Sequence, residues 1–233
     1  MNRITVPLGF LLSTLMIVPG AGAAPPPGGI PVALVSKVIL EVARKEAGKS
    51  WEKAARGQTL ASGDMVRTGQ GALAIIKFKD NSLVRLRERT ELTITGKQSG
   101  TTLSKSVEIE TGVVGFNVQK QRAGEEFRFT SPTSVASIRG TAGMLNSTTA
   151  SDTLIVTEGL IALLNKITSR SVDVPAGFTG ISKRDGTVQT RPSTADERRA
   201  ALDALRDDLN KRLELELRDP QGKTNRLKIE YND

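Results

Sequence analysis

The sequence contains no histidine and no cysteine. Their absence excludes Ser–His and Cys–His nucleophiles, imidazole or thiolate metal sites, and disulfides. Chemistry is left to Asp, Glu, Ser, Thr, Lys and Tyr, and within that set a carboxylate pair is the route to glycoside hydrolysis. Export is not contradicted, because oxidising compartments permit disulfides without requiring them. Aromatic residues are also scarce, at 3%, with a single tryptophan, Trp51, and a single tyrosine, Tyr231. That is too few for a stacking platform for bases or sugars.

What is present begins with a leader-like N-terminus. Arg3 precedes the apolar run from Val6 to Val18, then Pro19-Gly20 and the small residues Ala21-Gly22-Ala23-Ala24. A charged start, a short apolar stretch and an A-x-A site predict a secretory signal over residues 1–23. The run is shorter than the ~20 residues a spanning helix needs; an uncleaved N-terminal anchor is the alternative. No cysteine follows to carry a lipid. Residues 24–32, with Pro25-Pro26-Pro27-Gly28-Gly29, form a stiff spacer. Cleavage removes Arg3 and no acid, so the formal charge goes from +8 to +7. The segment 192–219 holds six basic and eight acidic residues, so the excess positive charge lies in the body. Such charge suits either anionic envelope material or simple solubility. Nucleic acid is not expected as a partner, since no aromatic interleaving or basic helical stripe is present.

Through the body the hydrophobic pattern has period two. Val38–Val42 is predicted as a first strand, with a turn at 46–50. Ala72–Phe78 and Ser82–Leu86 form a predicted hairpin around Lys79-Asp80-Asn81. Alternation sends Lys77 with Lys79, and Arg85 with Arg87, to shared faces, giving either a basic strip or an ordinary solvated face. Leu92–Ile94, Val107–Ile109 and Val113–Val118 continue the pattern, and Phe127 and Phe129 share one face. A weak repeat places Thr68-Gly69, Thr111-Gly112 and Glu158-Gly159 before apolar strands, with Gly177 as a looser fourth copy. The first three glycines are 43 and 47 residues apart. Glycine would supply positive φ at each corner. The expected fold is mainly β: a β-roll or short solenoid, or a sandwich of stacked strands, over residues 33–190.

The ordered set of turns resembles the FecR-type extracytoplasmic domain. Its elements here are Gly63-Asp64-Met-Val-Arg-Thr68-Gly69, Asp80-Asn81-Ser82, Ile109-Glu-Thr-Gly112-Val-Val, Ser131-Pro132-Thr-Ser-Val-Ala-Ser-Ile-Arg139-Gly140-Thr141, and Glu158-Gly159-Leu-Ile. The resemblance covers about residues 33–182. Asn81 stands where the family usually has Gly, and Ser131 where it usually has Thr; Asn also tolerates a left-handed turn. Physically, Asp64 is placed to accept N–H groups across its own turn, and Pro132 holds Ser131 extended. Arg139 beside Gly140 and Thr141 either clamps a carboxylate such as Glu158 or Asp64, or receives an anionic group of a partner.

The C-terminal segment 191–233 changes character. Thr194 and Glu197 form a capping box after Pro192, and no Gly or Pro occurs from Ala195 to Arg218. Leu202, Leu205, Leu209, Leu213 and Leu217 make a stripe at helical spacing, with acid-first i,i+4 pairs at Asp207/Lys211, Asp208/Arg212 and Glu214/Arg218. An amphipathic helix over 195–218 is therefore expected, its stripe facing the β body or another helix. Leu227–Tyr231 suits a short final strand.

In the family's regulators a cytoplasmic anti-sigma segment and one membrane span precede the external domain. With five residues ahead of its apolar run, this sequence is not expected to contact a sigma factor directly. The leading expectation is a periplasmic or secreted, non-enzymatic binding module of the bacterial envelope that needs no cofactor, its partner an envelope protein or cell-wall glycan. The alternatives are a sensory component acting through a separate membrane partner, and a carboxylate-based hydrolase using Asp64, Asp80 or Glu158.

Overall fold

The computed structural model describes residues 29–208, 211–218 and 224–231; the leader-like residues 1–23 lie outside them. The first strands are β1 (Pro31–Ile39), β2 (Val42–Lys45), β3 (Trp51–Lys53), β4 (Thr59–Ala61), β5 (Met65–Thr68), β6 (Leu73–Phe78), β7 (Leu83–Leu86), β8 (Glu91–Ser99) and β9 (Thr102–Val118). They are followed by β10 (Phe127–Thr130), β11 (Ser134–Ile138), β12 (Thr141–Ser147), β13 (Ser151–Glu158), β14 (Leu160–Asn165), β15 (Ser171–Pro175), β16 (Phe178–Lys183) and β17 (Val188–Pro192). After them come helix α1 (Ala195–Ala204) and the hairpin β18 (Lys211–Arg218) with β19 (Thr224–Tyr231).

Two sheets enclose one core. The first runs β4-β1-β6-β7-β9-β12-β13-β16-β17. The second runs β3-β2-β5-β8-β9-β10-β11-β14-β15. Strand β9 belongs to both: residues 102–111 pair in the second sheet and 112–118 in the first. It changes sheet at Gly112, whose φ is +114° and where a side chain would strike Thr90. Every pairing is antiparallel except β9 with β10. The mainly β fold expected is found, and its antiparallel pairing excludes the short solenoid among the architectures named, since solenoid coils stack strands in parallel.

The core joins the two sheets through aromatic contacts. Phe78 of β6 meets Phe127 of β10 edge-on at 4.9 Å, and Phe116 of β9 lies 5.0 Å from Phe129. All four rings are fully buried, as the alternation at Phe127 and Phe129 predicts. The hairpin expected around Asp80-Asn81 forms with Lys77 opposite Leu83, and Asn81 takes φ +65°. The predicted first strand differs. Leu40-Glu41 interrupts it as a corner between the sheets, with Leu40 at φ +59°.

Helix α1 begins at its predicted capping box but ends at Ala204, not Arg218. Residues 211–218 are instead strand β18, paired with β19 so that Leu213 is opposite Ile229 and Leu215 opposite Leu227. The reason is visible in Leu215. Leu213 and Leu217 fit either period, but Leu215 fits only alternation, and Pro220 and Gly222 lie between the two alternating segments. On α1 itself, Ala201 and Ala204 are the buried residues, packed on Met144 and Ile155, while Leu202 is 60% exposed and Leu205 is the C-cap. Leu209 lies outside the described residues.

Glu197 ties the start of α1 to the sandwich. It receives Arg191 Nη1 at 2.8 Å and Nη2 at 2.6 Å, the Thr194 N–H at 2.8 Å and Thr179 Oγ1 at 3.0 Å. The Arg191 guanidinium, working against partial burial and aided by the Thr194 and Thr179 bonds, brings the carboxyl down to about 2 from its ordinary 4.5. A depressed carboxyl stabilises the fold fully above its unfolded pKa and loses that contribution as pH falls through the folded value. Hydrogen-exchange protection of α1 is therefore expected to fall between pH 4.5 and about 2. Glu197→Gln should remove this acid-dependent step; equal pH profiles for the two proteins would contradict the assignment.

Candidate functional site

The recurrent turn residues first account for backbone geometry. Asp64, 4% exposed, accepts the Ala61 N–H at 2.9 Å and the Ala47 N–H at 3.3 Å, beside Gly63 at φ +95°. Thr68 Oγ1 donates to Arg87 O at 2.5 Å and accepts the Thr90 N–H at 3.0 Å. Gly69 has no positive φ. Its surroundings are tight, since a Cβ there would lie 3.0–3.1 Å from the Glu41 side chain at the β1–β2 corner. Gly112, Gly159 and Gly177 do take positive φ, as the repeat predicts.

Asp80 is the centre of a small polar network. It receives the Ser82 N–H at 3.1 Å, Lys105 Nζ at 2.7 Å and Gln121 Nε2 at 2.9 Å. Burial disfavours its charge, but the Lys105, Gln121 and Ser82 donors prevail and hold the carboxyl below its ordinary value. These bonds connect the β6–β7 turn with β9 and the segment after it.

The Arg139-Gly140-Thr141 and Glu158-Gly159 strings meet at one corner of the sandwich. Gly159 has φ +84°, and a Cβ there would lie 2.5 Å from Thr141 Cγ2. Gly140, at φ +69°, sits against Lys120. Between them is a polar cleft of about 300 Å³ lined by Asn117, Gln119, Lys120, Thr141 and Glu158. Thr141 is buried and its Oγ1 has no hydrogen-bond partner. A neighbouring cleft of about 220 Å³ runs from Glu125–Arg128 to Arg139.

The expected clamp does not form. Arg139 is exposed, and among the described residues it is not paired with Glu158 or Asp64. Alternation explains this: Ile138 enters the core, so Arg139 turns outward. Glu158 is likewise exposed, and Asp64 is already satisfied by backbone N–H groups. Pro132 is exposed at the β10–β11 turn.

Residues 64–162 match the family model described as FecR protein. Over that segment the chain is similar to a FecR domain. Two crystal structures of a candidate anti-sigma factor from Parabacteroides distasonis ATCC 8503 share the fold, each with a TM-score of 0.51 and 16% identity. The match covers 67% of this chain and 69% and 68% of theirs. No curated protein matches the chain.

The basic strip expected across this FecR-like segment takes another form. Lys79 is exposed and Lys77 half-buried, but Arg85 and Arg87 lie under the end of α1. Arg87 donates to the carbonyls of Asp203, Ala204, Arg206 and Asp208. Arg85 pairs with Asp207 at 2.6 Å, and Lys37 Nζ reaches Asp207 O at 2.7 Å. Cations at the carbonyl end of a helix complement its dipole. Alternation correctly turns these arginines away from the core, but the outer face is covered.

Two clusters were missed from sequence. Asp152, fully buried, receives the hydroxyls of Ser131, Thr133 and Ser134, the last at 2.6 Å, all on Oδ2. The other is a cleft at the β1–β2 corner that brings Leu40 and Glu41 to Trp51 and Arg67. Among the described residues no helix is long and apolar enough to cross a membrane, and no group of three acidic residues is placed to hold a metal.

Proposed function

We propose that this protein is an exported, non-enzymatic module of the bacterial cell envelope that works in regulation by binding a partner at the Arg139–Glu158 corner. The similarity to a FecR domain supports a regulatory role. The observation that carries the binding reading is the division of labour among the motif residues. Gly63, Asp64, Thr68, Gly69 and Asp80 are consumed in turns and strand contacts. Arg139 on one cleft, and Lys120 with Glu158 on its neighbour, remain exposed to either side of Gly140. Exposed charges of both signs suit electrostatic selection of a partner. A hydrolase reading is disfavoured by the same geometry: Asp64 is bound to backbone N–H groups and Asp80 to Lys105, so neither is free to act with Glu158.

The test is genetic. A deletion strain should show a changed transcript profile that the wild-type gene restores and Arg139→Glu does not, with the variant exported and melting like wild type. An unchanged profile on deletion would overturn the regulatory part of the proposal. Full restoration by Arg139→Glu would overturn the placement of the binding corner.

A further inference from the structure

Of the residues lining the cleft beside Leu40, Arg67 alone falls within the matched family segment, and the cleft is on different strands from the Arg139 corner. It has a volume of about 670 Å³ and is lined by Leu40, Glu41, Ala43, Trp51, Lys53 and Arg67, among others. That size is in the range of small-ligand sites. Its floor is built by register. Ala43 of β2 is opposite Lys53 of β3 on one side and Arg67 of β5 on the other. The small side chain leaves a depression between longer neighbours. The Arg67 guanidinium carbon lies 4.2 Å from the Trp51 ring centroid. This cation–π contact fixes the orientation of the indole.

Leu40 is a second, independent sign of use. It holds φ +59° with 57% of its surface exposed. A bulky residue rarely adopts this conformation, and a strained backbone of this kind clusters at functional positions. Burial does not account for the leucine, the one apolar side chain among the four described non-glycine residues at positive φ, the others being Asn81, Arg89 and Ser169.

We infer that this cleft binds an uncharged polysaccharide segment through one pyranose ring, with Trp51 and Leu40 against the apolar face of the ring and the charged side chains on its hydroxyl edge. The charges decide between ligand classes. Glu52 is taken by Arg44 at 2.6 Å and Arg67 is stacked on Trp51, which leaves Glu41 and Lys53 as one acid and one base at the rim, so the lining favours neither an anion nor a cation. An apolar surface edged by hydrogen-bonding groups of both kinds matches a sugar, which is apolar on its ring faces and polar around its rim. One indole is no platform for a run of sugars, but it suffices for one ring when neighbouring side chains supply the remaining contacts. This site is separate from the Arg139 corner, and the two proposals fail independently.

Trp51 is the only tryptophan, so fluorescence of the full chain excited where tryptophan absorbs and Tyr231 does not reports on this cleft alone. Titration with a soluble tetramer of β-1,4-linked N-acetylglucosamine is expected to give a saturable change in emission. The protein should also be retained on purified peptidoglycan sacculi. Ala43→Leu, which fills the floor, should weaken binding by about tenfold or more with melting close to wild type, about the fold-change of one lost aromatic contact. Leu40→Gly separates function from structure: relief of the strained φ should raise the melting temperature while the affinity falls. Emission unmoved by the oligosaccharide through the millimolar range would overturn the inference, as would equal binding by wild type and both variants. Emission that responds to an envelope peptide but not to the sugar would also overturn it.

Discussion

Asp152→Ala is expected to destabilise the protein by about 3 kcal/mol, through orphaned hydroxyl donors. Three buried side chains, Ser131, Thr133 and Ser134, aim their hydroxyls at Asp152 Oδ2. Removing their acceptor inside the sandwich costs more than a typical net hydrogen bond, because each donor is left without water. Two effects limit the loss. Ser131 and Ser134 Oγ are 3.3 Å apart and can bond to each other, and Asp152 Oδ1 has no partner whose loss would count. Asp152→Asn retains an acceptor at Oδ2 and should cost about half as much on the same reasoning. Chemical denaturation of the two variants measures both values. An alanine variant as stable as wild type would show that these hydroxyls find other partners.

The second large effect concerns the seat of α1. Gly115 lies on β9, and a Cβ there would be 2.0 Å from Ala204 O and 2.5 Å from its carbonyl carbon. These are backbone atoms at the end of the helix and cannot turn aside as a side chain would. Gly115→Ala is expected to lift the C-terminal turn of α1 from the sheet and to cost about 1–3 kcal/mol, the usual range for overpacking. The loss should be local. Val114 and Phe116, the neighbours of Gly115, face the core on the other side of the strand. Hydrogen exchange should therefore show lost protection in residues 198–205 with β6, β7 and β12 still protected. Retained protection of the helix would contradict the docking described here.

The β body was largely legible in the sequence because alternation is a local signal. Phe127 and Phe129 announce a buried face without reference to any other segment, and Asp80-Asn81 announces its turn. Alternation does not show what covers an outward face, so Arg85 and Arg87 read as a basic strip when they are capped by the end of α1. The helix was overextended for a related reason: Leu205, Leu209, Leu213 and Leu217 satisfy a helical spacing, and only Leu215, together with the matching alternation at 227–231, argues for a strand. Asp152 shows a different limit. Its hydroxyl partners are 18 to 21 residues away, and nothing local connects an aspartate at the start of one strand with a Ser-Pro-Thr-Ser turn before another. Leu40 was hidden by its own residue type, since an apolar run gives no warning of a left-handed corner.

The same distinction governs the candidate site. Motif residues identified the FecR-like segment, but their order does not say which of them stay free after folding. Of the two readings open for Arg139, a clamp or a seat for a partner's anionic group, the clamp fails because the position directly after Ile138 turns the side chain to solvent. What makes the corner a binding candidate is therefore the residue that the fold leaves unused.

Site-directed photo-crosslinking in intact cells tests this most directly. A photoreactive residue placed at the exposed Gln119, which lines the cleft at this corner, should give a discrete adduct, whereas one at the exposed Lys97 on β8 should not. The Gln119 adduct should be lost on adding Arg139→Glu or Glu158→Lys and kept with Asp80→Asn. Equal labelling from positions 119 and 97, or an adduct from 119 that survives Arg139→Glu, would contradict the account.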